Sequence, residues 1–405
     1  MLELCRRPLE SCFGGGGGRN GGDDVVWQVR LRPYAFGDYS MAVVQANSPL
    51  EDQAQVVSSP YVTYVGVYDG HGGPDAALFI RRHLFSFLHQ FATERGGLST
   101  DSMRQALKAT EEEFLKLVRR TWITDPHIAL CGSCCLVGAI SGGILYIANL
   151  GDSRAVLGRK VSDGRMFCSP SVLAERLTSD HNVGNEAVRK EVRELHPDDQ
   201  NIVVYSRGFW RIKGIIQVSR TIGDIYLKCP EFSNLYKQFG SHVPLERAVV
   251  TAEPSILARQ LKPDDMFLIF ASDGLWEHIS DEAAVEIVFR SPRTGIAKRL
   301  ARAAVQEAAR KRGMTCEDMK KIDKGVRRHF HDDITVVVVY LDHSQSPPNN
   351  QNSDHACFNS SVTPILWEGF SGRTTGKLSF SGGGGGNGSG GIGGGCFLCN
   401  CYTTG

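Results

Sequence analysis

The sequence lacks any apolar run long enough to cross a membrane, which requires about 20 consecutive apolar residues. Its longest apolar stretches, such as residues 266–271 and 334–341, have the length of single β-strands. No apolar core follows the basic pair Arg6-Arg7, so we also expect no secretory signal. These absences predict a protein of the cytoplasm, the nucleus or both. They are compatible with peripheral association with the plasma membrane.

An excess of charge of either sign is also lacking. The 405 residues include 45 Lys and Arg against 44 Asp and Glu, giving a formal net charge of +1 at pH 7. Binding to nucleic acid through a broad electrostatic field needs a basic surplus. We therefore expect no nucleic-acid partner, which disfavours a metal-dependent nuclease. The basic pairs 119–120, 320–321 and 327–328 are expected on solvated faces.

The twelve cysteines do not form the closely spaced pattern of a disulfide framework. We expect reduced thiols, as in the cytosol. Cys131 and Cys134 have a Cys-x-x-Cys spacing, but they lie in an expected buried strand, so core packing is favoured over zinc binding. The tail cysteines Cys396, Cys399 and Cys401 allow lipidation or weak metal binding, whereas an unstructured tail without either role is the simpler interpretation.

Composition divides the chain into three parts. Residues 1–37 form a glycine-rich segment that we expect to be flexible. Residues 38–343 carry the strand and helix patterns, with a more polar, flap-like insert over about 181–247. Residues 344–405 are rich in Asn, Ser, Gly and Pro and are expected to be disordered.

Within the central part, strands follow one another in hairpins and helices occur in pairs between them. Residues 64–68 alternate in the manner of a strand, and the stretch after Pro74 is apolar at helical spacing. A second helix is expected over residues 100–121, and Ser280 is placed to cap another. This order predicts an α+β fold of antiparallel sheets covered by helices, not a doubly wound parallel sheet.

Carboxylates recur at the ends of the expected strands, beside small or turn-forming residues. These sites are Glu51-Asp52, Asp69-Gly70, Asp273-Gly274 and Asp332-Asp333, with Asp152 as a fifth. Each alone is explained equally well by an ordinary turn. Together they are an all-oxygen ligand set, which suits Mg²⁺ or Mn²⁺, and paired cations of this kind promote phosphate ester hydrolysis.

A series of motifs in a fixed order resembles the metal-dependent serine/threonine phosphatases of type 2C, and most closely their plant clade-D branch. It covers about residues 39–342 and comprises Leu50-Glu51-Asp52, Asp69-Gly70-His71-Gly72-Gly73, Gly151-Asp152-Ser153-Arg154, Thr178-Ser179-Asp180-His181, Arg220-Thr221-Ile222-Gly223-Asp224, Ser272-Asp273-Gly274-Leu275-Trp276 and Asp332-Asp333-Ile334. The resemblance implies a four-layer αββα sandwich, in which helix pairs flank two antiparallel β-sheets. It also implies a monomer with two metal ions at one end.

The resemblance further implies a role for each residue of the site. Asp69 would bridge both ions, Asp273 and Asp332 would complete one ion's shell, and Glu51 with the carbonyl of Gly70 would complete the other. Asp52 would act through bound water, Asp152 would hold a weaker third ion beside Asp273, and His71 would be the general acid. Water activated by the metals would attack phosphorus without a phospho-enzyme intermediate.

One position departs from the family pattern. Where the family often has a phosphate-gripping Arg, this chain has Asn47, which is uncharged. Either the grip on substrate is weaker or another cation replaces it. Arg81 and Arg82 are candidates, although a solvated helix face is the preferred interpretation for both.

The sequence therefore predicts an enzyme that removes phosphate from serine and threonine in proteins. The alternative is a pseudophosphatase or phosphosite-binding scaffold with weak activity, for which Asn47 is the only support. Its predicted partners are phosphorylated proteins. The clade-D resemblance adds plasma-membrane proton pumps as substrates and small auxin-induced proteins as inhibitors.

Overall fold

The structure is a computed structural model, and it describes residues 26–161, 171–239 and 247–342, with the backbone of 363–365. Strands β1 to β17 span, in chain order, Val26–Tyr34, Gly37–Val44, Gln53–Ser58, Val62–Tyr68, Gly70–His71, Gly132–Ser133, Cys135–Ser141, Ile144–Leu150, Arg154–Val161, Ser171–Arg176, Val203–Ser206, Phe209–Ile212, Ile222–Gly223, Ser255–Gln260, Asp265–Ala271, Ile334–Tyr340 and Thr363–Ile365. Helices α1 to α7 span Asp75–Glu94, Thr100–Thr121, Glu186–Leu195, Asp273–Trp276, Asp281–Arg290, Ile296–Lys311 and Cys316–Lys321.

Two six-stranded antiparallel sheets form the centre of the molecule. The first has the order β1-β2-β16-β15-β9-β10, and the second has the order β14-β8-β7-β4-β3-β17. Helices α5 and α6 pack on the outer face of the first sheet, and α1 and α2 pack on that of the second. The predicted α+β fold, a four-layer αββα sandwich, is confirmed.

Strand β16 shows why the sequence forms such layers. All seven of its residues are buried. Val336 and Val338 face the helix layer, whereas Val337 and Val339 face the second sheet. Because successive side chains of a strand point to opposite faces, a strand covered on both sides must be apolar at nearly every position. The valine-rich run meets this requirement.

Helix boundaries follow their capping residues. Ser99 and Ser102 form a reciprocal capping box at the start of α2, and the Ser280 side chain accepts a hydrogen bond from Ala283 N at the start of α5. These contacts satisfy backbone N–H groups that have no partner within the first helical turn. The predicted span of α2 and the predicted cap at Ser280 match the structure.

The segment between β10 and β14, with α3 and the β11-β12 hairpin, packs in an apolar cluster that it shares with α1, α2 and residues 128–131. Trp210 packs there under the guanidinium groups of Arg189 and Arg193, whose carbons lie 4.8 and 5.7 Å from the ring centroid. Phe209 beside it is exposed. The limits of the flap-like insert stay a prediction.

The structure departs from the expected boundaries at both ends of the folded part. Strand β1, Val26–Tyr34, lies within the segment predicted to be flexible and pairs with β2, which would otherwise be an open sheet edge. Similarly, Thr363–Ile365 pairs with the edge strand β3, inside the tail predicted to be disordered. Strand β17 has only three residues, too few to show a pattern, whereas β1 was missed although Trp27, Val29 and Leu31 alternate with polar residues and pack against the core.

In the part of the chain that the structure describes, no helix combines the length and apolar character needed to span a bilayer. The tail cysteines Cys396, Cys399 and Cys401 lie outside the described residues.

Candidate metal centre and active site

Antiparallel pairing gathers the acidic motifs at one end of the sandwich. Ala271, at the end of β15, pairs with Val336 near the start of β16. Tyr68, at the end of β4, pairs with Gln53 at the start of β3. In each sheet, the acids that follow one strand therefore lie beside the acids that precede its partner. The hydrogen bonds from Glu51 N to Asp333 and from the Ser272 hydroxyl to Asp52 join the two groups across the sheets.

The carboxylates at this edge act on one another electrostatically, and we name them the acidic cluster: Glu51, Asp69, Asp152, Asp273 and Asp332. Burial raises the pKa of Asp69 well above its usual value, and the nearby Asp273 raises it further. Burial also raises the pKa of Asp273, with added repulsion from Asp152 and Asp332. Carboxylates held this close are stabilised by a cation among them.

Two members of the acidic cluster lack hydrogen-bond donors. Among the described residues, none donates to the carboxylate of Asp69, although this residue is only 8% exposed. The buried Oδ1 of Asp273 likewise has no partner within that part of the chain. A buried, unpartnered carboxylate is costly unless a metal ion accepts its lone pairs. Since the whole cluster offers oxygen, the donor set fits Mg²⁺ or Mn²⁺.

Asp152 is also buried, but its carboxylate has hydrogen-bond donors. Asn182 Nδ2 donates to its Oδ2 at 2.7 Å, and the Cys134 thiol donates to its Oδ1 at 3.2 Å. One potential ligand atom each from Asp69, Cys134 and Asp152 lies within 4.8 Å of the others. Burial raises the pKa of the Cys134 thiol, which keeps it protonated. The Cys131 sulfur instead donates to the carbonyl of Gly72, so the two cysteines of the Cys-x-x-Cys spacing face different groups.

Glu51 is fixed against the turn that follows Asp69. Gly73 N donates to Glu51 Oε1 at 2.6 Å. A Cβ at Gly70 would lie 2.5 Å from the carbonyl oxygen of Glu51, a distance that only glycine permits. The absence of a side chain at Gly70 therefore brings the Asp69 turn and the Glu51 segment into contact, as a shared metal site requires.

Two acids beside the cluster have hydrogen-bond donors instead, and we name Asp52 and Asp333 the anchoring acids. Asp333 Oδ1 accepts from Ala46 N and Asn47 N, and its Oδ2 accepts from Glu51 N, at 2.6 to 2.9 Å. Asp52, 1% exposed, accepts from the Ser272 hydroxyl at 2.8 Å. The structural role of Asp333 was missed from the sequence. The expected action of Asp52 through bound water stays a prediction.

His71 is paired with an acid that sequence reasoning did not assign to the site. Its Nε2 lies 2.8 Å from Asp224 Oδ2, and Asp224 is fully buried. Burial lowers the pKa of His71, but the charge of Asp224 outweighs this effect and leaves the pKa raised. A Cβ at Gly132 would lie 2.2 Å from Asp224 Oδ2, so glycine is required beside this pair. The Gly223-Asp224 motif was visible, but nothing in its spacing indicates the partner 153 residues away.

Asn47 lies close to Arg328, and the sequence did not indicate that these two residues are neighbours. Asn47 Nδ2 donates to Asp332 Oδ1 at 2.9 Å, and Arg328 forms an ion pair with the same oxygen. The expectation of a solvated face is wrong for Arg327, whereas Arg328 is exposed to solvent and also contacts the acidic cluster. Arg327 is buried and donates to the carbonyls of Gln45 and Ile322. A four-residue spacing between Arg328 and Asp332 was the one available signal.

The comparisons with known proteins agree with this geometry. The family model described as protein phosphatase 2C matches residues 37–315, which include every member of the acidic cluster except Asp332. Similar proteins are "Probable protein phosphatase 2C 63" of Arabidopsis thaliana, 60% identical over 86% of this chain and 91% of the relative, and "Probable protein phosphatase 2C 78" of Oryza sativa subsp. japonica, 59% identical over 87% and 91%. These names do not identify a branch, so the clade-D placement stays a prediction.

Solved structures support the fold independently. The crystal structure of serine-threonine phosphatase 2C from Toxoplasma gondii aligns with a TM-score of 0.53 at 17% identity, covering 78% of this chain and 99% of that one. A sex determining protein of C. elegans aligns with a TM-score of 0.50, covering 80% of this chain and 64% of that one. The family match and the plant relatives show the activity as well as the fold. The chain belongs to the protein phosphatase 2C family of metal-dependent serine/threonine phosphatases.

Proposed function

We propose that this chain hydrolyses phosphoserine and phosphothreonine in proteins with two Mg²⁺ or Mn²⁺ ions held by the acidic cluster. The observation that carries this proposal is the absence of a donor, among the described residues, to the buried carboxylate of Asp69 and to the buried Oδ1 of Asp273. Ions of this kind supply positive charge to a phosphoryl group and lower the pKa of a coordinated water.

Each residue of the cluster has a proposed place in the shell. Asp69 is the proposed bridge between the ions, with Asp273 and Asp332 on one of them. Glu51 and the backbone carbonyl of Gly70 complete the other, in keeping with the close contact between these two residues.

Two acids have more peripheral proposed roles. Asp152 is the ligand for a weaker third ion, and its electrostatic effect on Asp273 supports this position. Asp52 acts through water, because Ser272 already donates to one of its oxygens.

His71 is the proposed donor of a proton to the leaving alkoxide. Because Asp224 engages Nε2, the nitrogen that remains for this transfer is Nδ1. Asp224 orients the ring and stabilises its protonated form, which is the form that a general acid needs before the transfer.

The test is hydrolysis of a phosphothreonine peptide with Mn²⁺. We expect activity that EDTA abolishes and that Asp69→Asn reduces to background. Asp198→Asn is the matched control, since this carboxylate is 90% exposed in the insert. Activity that survives both EDTA and Asp69→Asn would exclude the proposed metal centre. Family membership and the complete acidic cluster do not favour the pseudophosphatase alternative.

The specific protein partners and the cellular compartment are proposed from the family resemblance. Plasma-membrane proton pumps are the proposed substrates, and small auxin-induced proteins are the proposed inhibitors. Free, buried thiols at Cys131, Cys134 and Cys135 support a reducing compartment, the cytoplasm or the nucleus. Dephosphorylation of a purified phosphorylated pump, blocked by an auxin-induced protein, tests both partners, and light scattering tests the proposed monomer.

A further inference from the structure

Arg328 is a cation placed at the acidic cluster by a segment far from the other acids in sequence. Its guanidinium pairs with Asp332, and its side chain is 43% exposed. Burial lowers the pKa of Arg328, but Asp332, Asp273 and Glu51 raise it above its ordinary value. Arg328 is therefore a permanent positive charge that faces both the acidic cluster and solvent.

The segment that carries Arg328 is fastened to the segment that carries Asn47. Gly325 N donates to the carbonyl of Ala46 at 2.6 Å, and Arg327 donates to the carbonyl of Gln45 at 2.9 Å. Both contacts lie within three residues of Arg328 and within two of Asn47. The position of the guanidinium is thus set by the backbone beside Asn47.

Asn47 and Arg328 also converge on one atom, Asp332 Oδ1. The uncharged amide and the guanidinium consequently occupy neighbouring places at the rim of the acidic cluster. Arg327 provides the contrast, since it is 4% exposed and bonded to backbone carbonyls, which leaves it no access to a ligand.

We propose that Arg328 binds the phosphoryl group of the substrate and supplies the positive charge that Asn47 cannot. The proposal rests on the phosphatase function proposed above and adds a substrate-binding residue to it. A guanidinium presents parallel N–H groups that match two phosphoryl oxygens, whereas a lysine ammonium is a point charge. Its half-exposed side chain can turn from Asp332 towards the phosphate without unfolding the segment.

The experiment measures binding of inorganic phosphate to the Mn²⁺-loaded protein by calorimetry, beside the kinetics of phosphothreonine peptide hydrolysis. For Arg328→Ala we expect phosphate affinity to fall, and KM to rise, by about 10- to 100-fold, as for the loss of a charge-assisted pair. Arg328→Lys should lie between Arg328→Ala and the wild type. Mn²⁺ affinity should not fall, because Arg328 repels the metal.

Two further variants separate this role from a general effect of charge. Arg82→Ala removes an exposed arginine of α1 and should leave phosphate affinity unchanged. Asn47→Arg in the Arg328→Ala background should restore phosphate affinity, since it returns a guanidinium to the same rim.

The outcomes distinguish this proposal from the proposed function. If wild-type protein hydrolyses the peptide and Arg328→Ala binds phosphate as tightly as wild type, the role of Arg328 is refuted and the function stands. Weakened Mn²⁺ binding by Arg328→Ala would likewise overturn the proposal in favour of a structural role. If the wild type binds phosphate through Arg328 but hydrolyses no peptide, the function fails and the assignment of Arg328 holds.

Discussion

Asp332 and Asp333 are adjacent in sequence but belong to regions with opposite electrostatic character. Asp333, an anchoring acid, accepts hydrogen bonds from three backbone N–H groups. Asp332, in the acidic cluster, faces Asn47 and Arg328 at one edge and other carboxylates at the other. Both residues directly precede β16, and the Asp332 side chain is 21% exposed whereas Asp333 is 1% exposed.

The difference shows how hydrogen-bond donors separate Asp333 from the carboxylates of the acidic cluster that have none. A buried carboxylate with N–H donors is neutralised by the backbone and holds a loop in place. A buried carboxylate without them raises the energy of the protein until a cation binds. Asp52 resembles the first group, with one donor from Ser272, and Asp69 belongs to the second. The presence of donors therefore separates Asp333 from Asp69 and Asp273, whereas Asp152 and Asp332 lie in the acidic cluster and have donors of their own.

The largest effect that tests this comparison is a loss of catalysis without a loss of fold. We expect Asp273→Asn to lower kcat/KM on the order of 1000-fold, because a bound metal contributes several kcal/mol to the reaction. In EDTA the variant should be as stable as the wild type or more stable, since it removes a carboxylate repelled by Asp152 and Asp332. Peptide hydrolysis and urea unfolding measure the two quantities. A variant that lost stability but kept its activity would place Asp273 with the anchoring acids.

The second prediction concerns Asp333, an anchoring acid, for which we expect a loss of stability. Asp333→Ala leaves three backbone N–H groups without their acceptor, at about 1–3 kcal/mol for each that stays buried. We expect the free energy of unfolding in urea to fall by at least about 3 kcal/mol. Asp333→Asn keeps one carbonyl oxygen as an acceptor and should lose less. If Asp333→Ala unfolded at the wild-type urea concentration, the donors would have other acceptors and the name anchoring acid would be wrong.

A third prediction uses the metal itself to divide the two regions. Mn²⁺ at 100 times its dissociation constant should stabilise the wild type by about 2.7 kcal/mol, since it binds the folded state. Asp69→Asn should lose most of this gain, whereas Asp333→Asn should keep most of it despite its lower starting stability. Thermal unfolding with and without Mn²⁺ gives the comparison. Equal metal responses in both variants would remove the distinction.

The sequence was sufficient for the layers of the fold and for the acidic motifs, because both depend on local patterns. The valines of β16, the cap at Ser280 and the acid-glycine turns are each visible within a few residues. The missed features are contacts between distant segments. Asp224 pairs with His71, and Arg328 lies beside Asn47, only because folding brings together residues more than 150 positions apart. Strand β17 was missed because three residues are too few to show a pattern. Strand β1 was missed because the glycine-rich composition before it was extended over an alternating segment.

The smallest predicted effect concerns pH and a buried base beside the cleft. His181 is 3% exposed, and its Nε2 lies 2.7 Å from the Ser255 hydroxyl. Burial, with the charge of Arg220, lowers its pKa from 6.5 to about 4. The folded state therefore binds a proton less readily than the unfolded state, and the resulting stability is present above pH 6.5 and lost as the pH falls towards 4.

The loss in free energy of unfolding from His181 should reach about 2 kcal/mol at pH 5. His181→Gln should remove this loss, so that the free energy of unfolding depends less on pH between pH 7 and 5. His127→Gln, which replaces an exposed histidine, is the control and should keep the wild-type slope. Urea unfolding in EDTA across this range measures the effect. If the His181→Gln slope equalled that of the wild type, the loss of stability in acid would come from another titrating group. Because His181 contacts none of the proposed metal ligands, a flattened slope would assign this acid sensitivity to the base of the insert and not to either kind of carboxylate.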